Sequence, residues 1–153
     1  MSGDRRPLTR IVNPEALGRP VGYSNGVAVE GGTLVFVAGQ VAWDRDHRIV
    51  SDRLARQFGQ ALANVLEVVR AAGGDATSVA KLTVFVASTA EYEAELKAIG
   101  AEYRQIMGRH FPAMSLVEIQ GLLEPGAKVE IEAVAMVPTT ATMATTGPPP
   151  PTP

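Results

Sequence analysis

Phe111-Pro112-Ala113-Met114-Ser115-Leu116-Val117-Glu118 and Val129-Glu130-Ile131-Glu132-Ala133-Val134-Ala135 are the stretches from which the fold is read. In the first, Pro112 stiffens a loop that runs straight into a strand. In the second, alternation along an extended segment puts Glu130 and Glu132 on one face, roughly 7 Å apart. These strands, Ser115 to Gln120 and Lys128 to Val137, are joined by a turn at Glu124-Pro125-Gly126. Upstream, Val79 to Val86 is nearly continuous in apolar residues between turn formers, the pattern of a strand buried on both faces. Ser88 and Glu91 form a capping box for a helix with the stripe Tyr92, Leu96, Ile99, Tyr103 and Ile106. Asp52 caps an earlier helix, in which Leu54, Phe58, Leu62, Val65 and Val69 recur at three- and four-residue spacing until Gly73-Gly74. Tyr23 to Glu30 and Thr33 to Val41 read as the first two strands, with Gly31-Gly32 as a two-residue hairpin signal.

The order β-β-α-β-α-β-β predicts an α+β domain: a two-layer sandwich of a mixed sheet with two helices on one face. The opposite sheet face carries Val, Phe and Ala residues and needs a cover. Identical subunits are the natural cover, so the pattern by itself predicts an oligomer.

Composition narrows the function. A chain of 153 residues, 46% hydrophobic and without an apolar run of about 18 residues, predicts one soluble domain with no membrane span. Net charge is -2, from 14 basic and 16 acidic residues spread along the chain, which gives no footprint for nucleic acid or an anionic membrane. There is no cysteine, and the two histidines are far apart, so a thiol nucleophile is excluded and a metal site is not expected. No glycine-rich loop opens a helix, so no nucleotide cofactor is implied. The N-terminus lacks an apolar signal core, which predicts a cytoplasmic protein. The folded domain is expected over 8–138, after a flexible 1–7. The Pro- and Thr-rich stretch 139–153 is expected to be a disordered tail, with a ligand for an aromatic groove as its functional alternative.

Together with Gly22-Tyr23-Ser24-Asn25-Gly26-Val27, Ala38-Gly39-Gln40 and Lys81-Leu82-Thr83-Val84-Phe85-Val86, the two opening stretches resemble the YjgF/RidA family of small trimeric enamine/imine deaminases. The resemblance spans nearly the whole folded region. It implies a chorismate-mutase-like fold, a barrel-like homotrimer, clefts between adjacent subunits, a small-molecule substrate and no cofactor.

It also implies roles. Glu130 matches the glutamate that orients a water, which as a general base must come within about 3 Å of it. The bland reading of Glu130 is polar decoration of a solvated strand, and Glu132 is read as structural. Tyr23 matches a tyrosine lining the cleft, where a phenol can stack on a planar substrate or donate a hydrogen bond; core packing is its alternative. Gly39 lies where backbone approaches the ligand, or marks a bulge. Met114 stands where active members carry an arginine that grips the substrate carboxylate through two charge-assisted hydrogen bonds, and a thioether has no donor to replace them. Met114 thus implies a larger or less acidic ligand. The substrate-binding set is completed by Tyr92, Ser115 and Leu116, and by Arg19, which lies four residues before Tyr23 and is offered as a replacement cation against the plainer reading of a solvated surface arginine. Arg109 and His110 are further candidates for a replacement cation or proton carrier, against plainer readings as a surface arginine and a loop histidine. Two other functions stay open: a trimer that binds a metabolite or protein without turnover, and ribonuclease action, which the acidic balance disfavours.

Overall fold

A computed structural model describes residues 7–139, 147, 148 and 151. The expected flexible and disordered ends fall almost wholly outside these residues. The elements are β1 (Leu8–Val12), β2 (Gly26–Glu30), β3 (Thr33–Gln40), α1 (Leu54–Ala71), β4 (Val79–Val86), α2 (Thr89–Ala94), α3 (Leu96–Met107), β5 (Ala113–Glu118) and β6 (Val129–Val137). β3, β6, β4 and β5 form one mixed sheet in that order, in which only β4 and β5 run parallel; β1 and β2 pair separately as an antiparallel ribbon.

The sheet and its helices make the two-layer α+β architecture. α1 packs over β6 and β3, its buried stripe (Leu54, Phe58, Leu62, Val65, Val69) sharing one core cluster with Leu82 and Val84 of β4 and Ile131, Ala133 and Ala135 of β6. Strand alternation then sends Leu34, Phe36, Phe85, Glu130, Glu132, Val134 and Val117 to the opposite face. Phe36 is 74% exposed there, and Leu34 and Val117 are exposed as well. β4 is therefore buried on one face of this chain and half-buried on the other, short of the two-sided burial its sequence suggested.

Three other expectations are corrected. Gly31-Gly32 turns the chain with positive φ at both residues, but β2 and β3 do not pair. The glycines signal a sharp turn; they do not choose the partner. β3 instead takes the long-range β6, and Gly32 passes so close to the Val137 carbonyl that a side chain would collide with it.

Asp52 does not cap α1. Arg53 occupies that position without a side-chain cap, and the free amide of Ala55 donates to the Glu95 carboxylate at 3.0 Å. Glu95 can reach it because the second helix is broken there into α2 and α3, with Glu95 (φ -102°, ψ 10°) at the joint. The Ser88 and Glu91 box is half made: Ser88 Oγ accepts from the Glu91 amide, while the Glu91 carboxylate pairs with Lys128 Nζ at 2.5 Å.

Gln57 is buried at 0% exposure. Its Nε2 donates to the carbonyls of Ser51 (2.7 Å) and Gly126 (2.9 Å), and its Oε1 accepts from the Lys128 amide (2.8 Å). One side chain thus ties α1 to the Glu124-Pro125-Gly126 turn, where Ala127 N donates to Glu124 O, and fixes the start of β6 just before Glu130.

Candidate functional site

The predicted site residues separate onto two faces of the chain. Tyr23, Tyr92, Met114 and Leu116 line a cavity of about 680 Å³ between α3 and β5. Met114 and Leu116 form its floor, packed against the core from the helix-facing side of β5. Leu96, expected in the buried stripe, is 54% exposed and forms part of the wall. The chain before β2 adds a second wall, held by buried Ser24: its amide donates to Pro112 O at 3.0 Å, and its Oγ to Phe111 O at 2.6 Å. This clasp sets Tyr23, 41% exposed, on the wall of the cavity that Met114 also lines. At the back, Tyr103 stacks on Phe111 (5.6 Å between ring centroids, 6° between planes) and donates to His110 O at 2.7 Å. Burial pushes the phenols of Tyr92 and Tyr103 above the usual range, so both remain neutral donors at physiological pH.

Glu130, Gly39 and Ser115 lie on the other side of the sheet. β3 carries a one-residue bulge, Val37 facing Ala133 and Gln40 facing Ile131, which brings Gly39 onto Glu130. The carboxylate of Glu130 occupies the space that a Gly39 side chain would need. Gly39 is therefore both a bulge residue and a seat for the carboxylate. Ser115 Oγ accepts from Lys81 Nζ at 2.7 Å on the same face. Glu132 lines a separate shallow hollow with Lys81 and Phe36.

β6 and β5 are separated by β4, about 10 Å of sheet, and the Glu130 and Met114 side chains point to opposite faces. No ligand the size of a small imine can touch both within one chain.

The candidate cations suggested by sequence do not line the cavity. Arg19 is exposed outside it, although Val21 and Gly22 nearby do line it. Arg109 is exposed and outside it too. His110 lies elsewhere, its Nε2 2.6 Å from Val79 O, on a second hollow with Gly74 and Thr77. The basic residue at the cavity is Arg104, which sequence reasoning passed over. The signal was the spacing: Leu96, Gly100 and Arg104 recur every four residues and share one face of α3. Among the described residues there is no group of three or more His, Cys, Asp or Glu able to hold a metal, and no helix long and apolar enough to cross a membrane.

The sequence model of the family described as Endoribonuclease L-PSP matches residues 13–137. The chain belongs to this family, the YjgF/RidA family. Among its relatives is the human 2-iminobutanoate/2-iminopropanoate deaminase, 32% identical over 133 residues that cover 86% of this chain and 90% of the relative. The Salmonella typhimurium protein of the same name is 33% identical, covering 80% and 91%. Of solved YjgF/RidA structures, a Rid family protein from Yersinia pestis superposes with a TM-score of 0.74 at 35% identity, covering 84% of this chain and 98% of its own. The YjgF gene product of E. coli gives 0.59 at 31% identity, covering 81% and 92%. The YjgF/RidA match thus includes both faces of the candidate site, and the two relatives just given are named as imine deaminases.

Proposed function

We propose that this chain is a cofactor-independent hydrolase of the imine deaminase type, active at clefts where two copies meet. The cavity of one copy binds the substrate through Tyr23, Tyr92, Met114 and Leu116. The next copy contributes Glu130 from its uncovered sheet face, in a homotrimer that buries Phe36, Leu34 and Val117. What carries the reading is the seating of the Glu130 carboxylate against Gly39, on an apolar face that no other described residues cover at Phe36, Leu34 and Val117.

The chemistry needs little else. Glu130 takes a proton from a water as its oxygen bonds to the imine carbon, and the C=N pair moves onto nitrogen. The proton passes to that nitrogen to give a carbinolamine; Glu130 then carries the carbinolamine's hydroxyl proton to the same nitrogen, the C–N bond breaks as C=O forms, and ammonia and a carbonyl compound leave. An enamine enters after tautomerising to the imine; a cyclic amide is opened by the same attack. Tyr23 stacks on the planar group or donates to it. Since Met114 provides no donor for a carboxylate at the floor, the substrate is larger or less acidic than 2-iminopropanoate, which is expected to be a poor one.

Ammonia release from freshly generated 2-iminopropanoate and from larger imines and enamines tests the reading. Turnover of larger members supports it. Inertness toward the whole panel, with ligands still raising thermal stability, leaves the non-catalytic binding trimer instead.

Gly39→Ala probes the seat. The clash falls on the flexible end of Glu130, so the variant is expected to fold with a stability change under about 1 kcal/mol. Displacing the carboxylate should still lower kcat by about tenfold to a hundredfold. Unchanged kcat would mean that the position of Glu130 is irrelevant.

A further inference from the structure

Arg104 lies in the last turn of α3, where a cation is favoured by the helix dipole alone. Its direction asks for more than that. The Nη1 atom lies over Gly100, one turn back toward the N-terminus, and a Cβ built on Gly100 would stand 3.3 Å from it. The guanidinium thus folds back along the cavity rim, over a position that has no side chain. Arg48, Arg53, Arg56 and Arg70 each pair with a carboxylate. Arg104 makes no ion pair or side-chain hydrogen bond among the described residues, so its fork of donors is free. It is also the one charged group among the residues lining the cavity.

The rest of the wall selects the body of the ligand. Met114, Leu116, Leu96 and Ile99 are aliphatic, and Tyr23 and Phe111 add aromatic surface. At about 680 Å³ the cavity falls in the range that encloses drug-sized molecules, far more room than 2-iminopropanoate fills. Nothing acidic lines it to repel an anion.

We propose that Arg104 is the anion-anchoring residue of this cavity, and that its ligand is a monocarboxylate with a bulky aromatic or branched aliphatic body. The cation stands on the helix at the rim, and Met114 on the floor offers no donor. The carboxylate is therefore held at the mouth, and the apolar body lies inward over Met114 and Leu116. This rests on the cavity being the substrate half of the proposed site, but not on turnover.

The test compares 3-phenylpropanoate with 3-phenylpropanamide by calorimetry at low salt, on the full chain. Wild type is expected to bind the acid at least about tenfold more tightly than the amide. Arg104→Gln is expected to erase that preference while leaving amide affinity and melting temperature unchanged, since the side chain is exposed. Arg104→Lys should keep part of the preference as a point charge. A wild type that binds neither probe or does not discriminate, or a glutamine variant that still prefers the acid, overturns the proposal. Because the readout is a ratio, loss of packing alone does not imitate it. Glu130→Gln should leave the ratio intact: a preserved ratio with no turnover in wild type defeats the hydrolase reading alone, and a lost ratio with turnover defeats only the anchor.

Discussion

Glu130→Gln is expected to lower kcat for imine hydrolysis by about 100-fold or more, the usual contribution of a positioned general base. Glutamine keeps the shape of the side chain and its seat against Gly39, so the folded structure and ligand affinity should hardly change. The neutral amide cannot take the water's proton. The loss should therefore fall in kcat and not in KM, and single-turnover ammonia release in both proteins measures it. Equal kcat in the two proteins would return Glu130 to the role of a polar residue on a strand.

Gln57→Leu should cost about 3 kcal/mol of stability. The side chain is fully buried, and leucine, though branched one carbon nearer the backbone, fills a similar volume, so the loss of packing is the smaller effect. The Ser51 and Gly126 carbonyls and the Lys128 amide, however, would be left without their partner. Each buried group stranded in this way costs about 1 to 3 kcal/mol, and the losses are not fully additive. For a domain of this size the melting temperature should fall by about 10 °C, which calorimetry reads directly. A fall of only a degree or two would mean that water reaches those groups and that β6 is positioned by other means.

The elements with strong periodicity were legible in the sequence. The stripe of α1, the strands around Lys81, Ser115 and Glu130, and the turn at Gly126 follow from local spacing, because local spacing decides which face an apolar side chain covers. What failed was decided by groups distant in sequence. Ala55 is capped by Glu95, forty residues away, and no helix-start signal contains that information. The Gly31-Gly32 turn is real, but the partner of β3 was settled by β6 at the far end of the chain.

The candidate site divides along the same line. Gly39 and Glu130 could be grouped by their family pattern, and a bulge brings them together. That Tyr23 and Met114 line one cavity depends on the buried hydroxyl of Ser24 reaching the Phe111 carbonyl, 87 positions along the chain. Arg104 was hidden because a single arginine in a helix looks like surface charge until Gly100, one turn away, is seen to leave it room.

The most direct test is complementation between two disabled proteins. Tyr23→Ala removes the cavity's ring and Glu130→Gln removes the base, so each homo-oligomer should be nearly inactive. Unfolded together, mixed in equal amounts and refolded, the two should form mixed oligomers in which about one quarter of the clefts pair an intact cavity with an intact carboxylate from the neighbouring copy. Recovery of about a quarter of wild-type activity is the predicted result. A mixture no more active than its two components, in oligomers shown to be mixed, would contradict a site shared between chains.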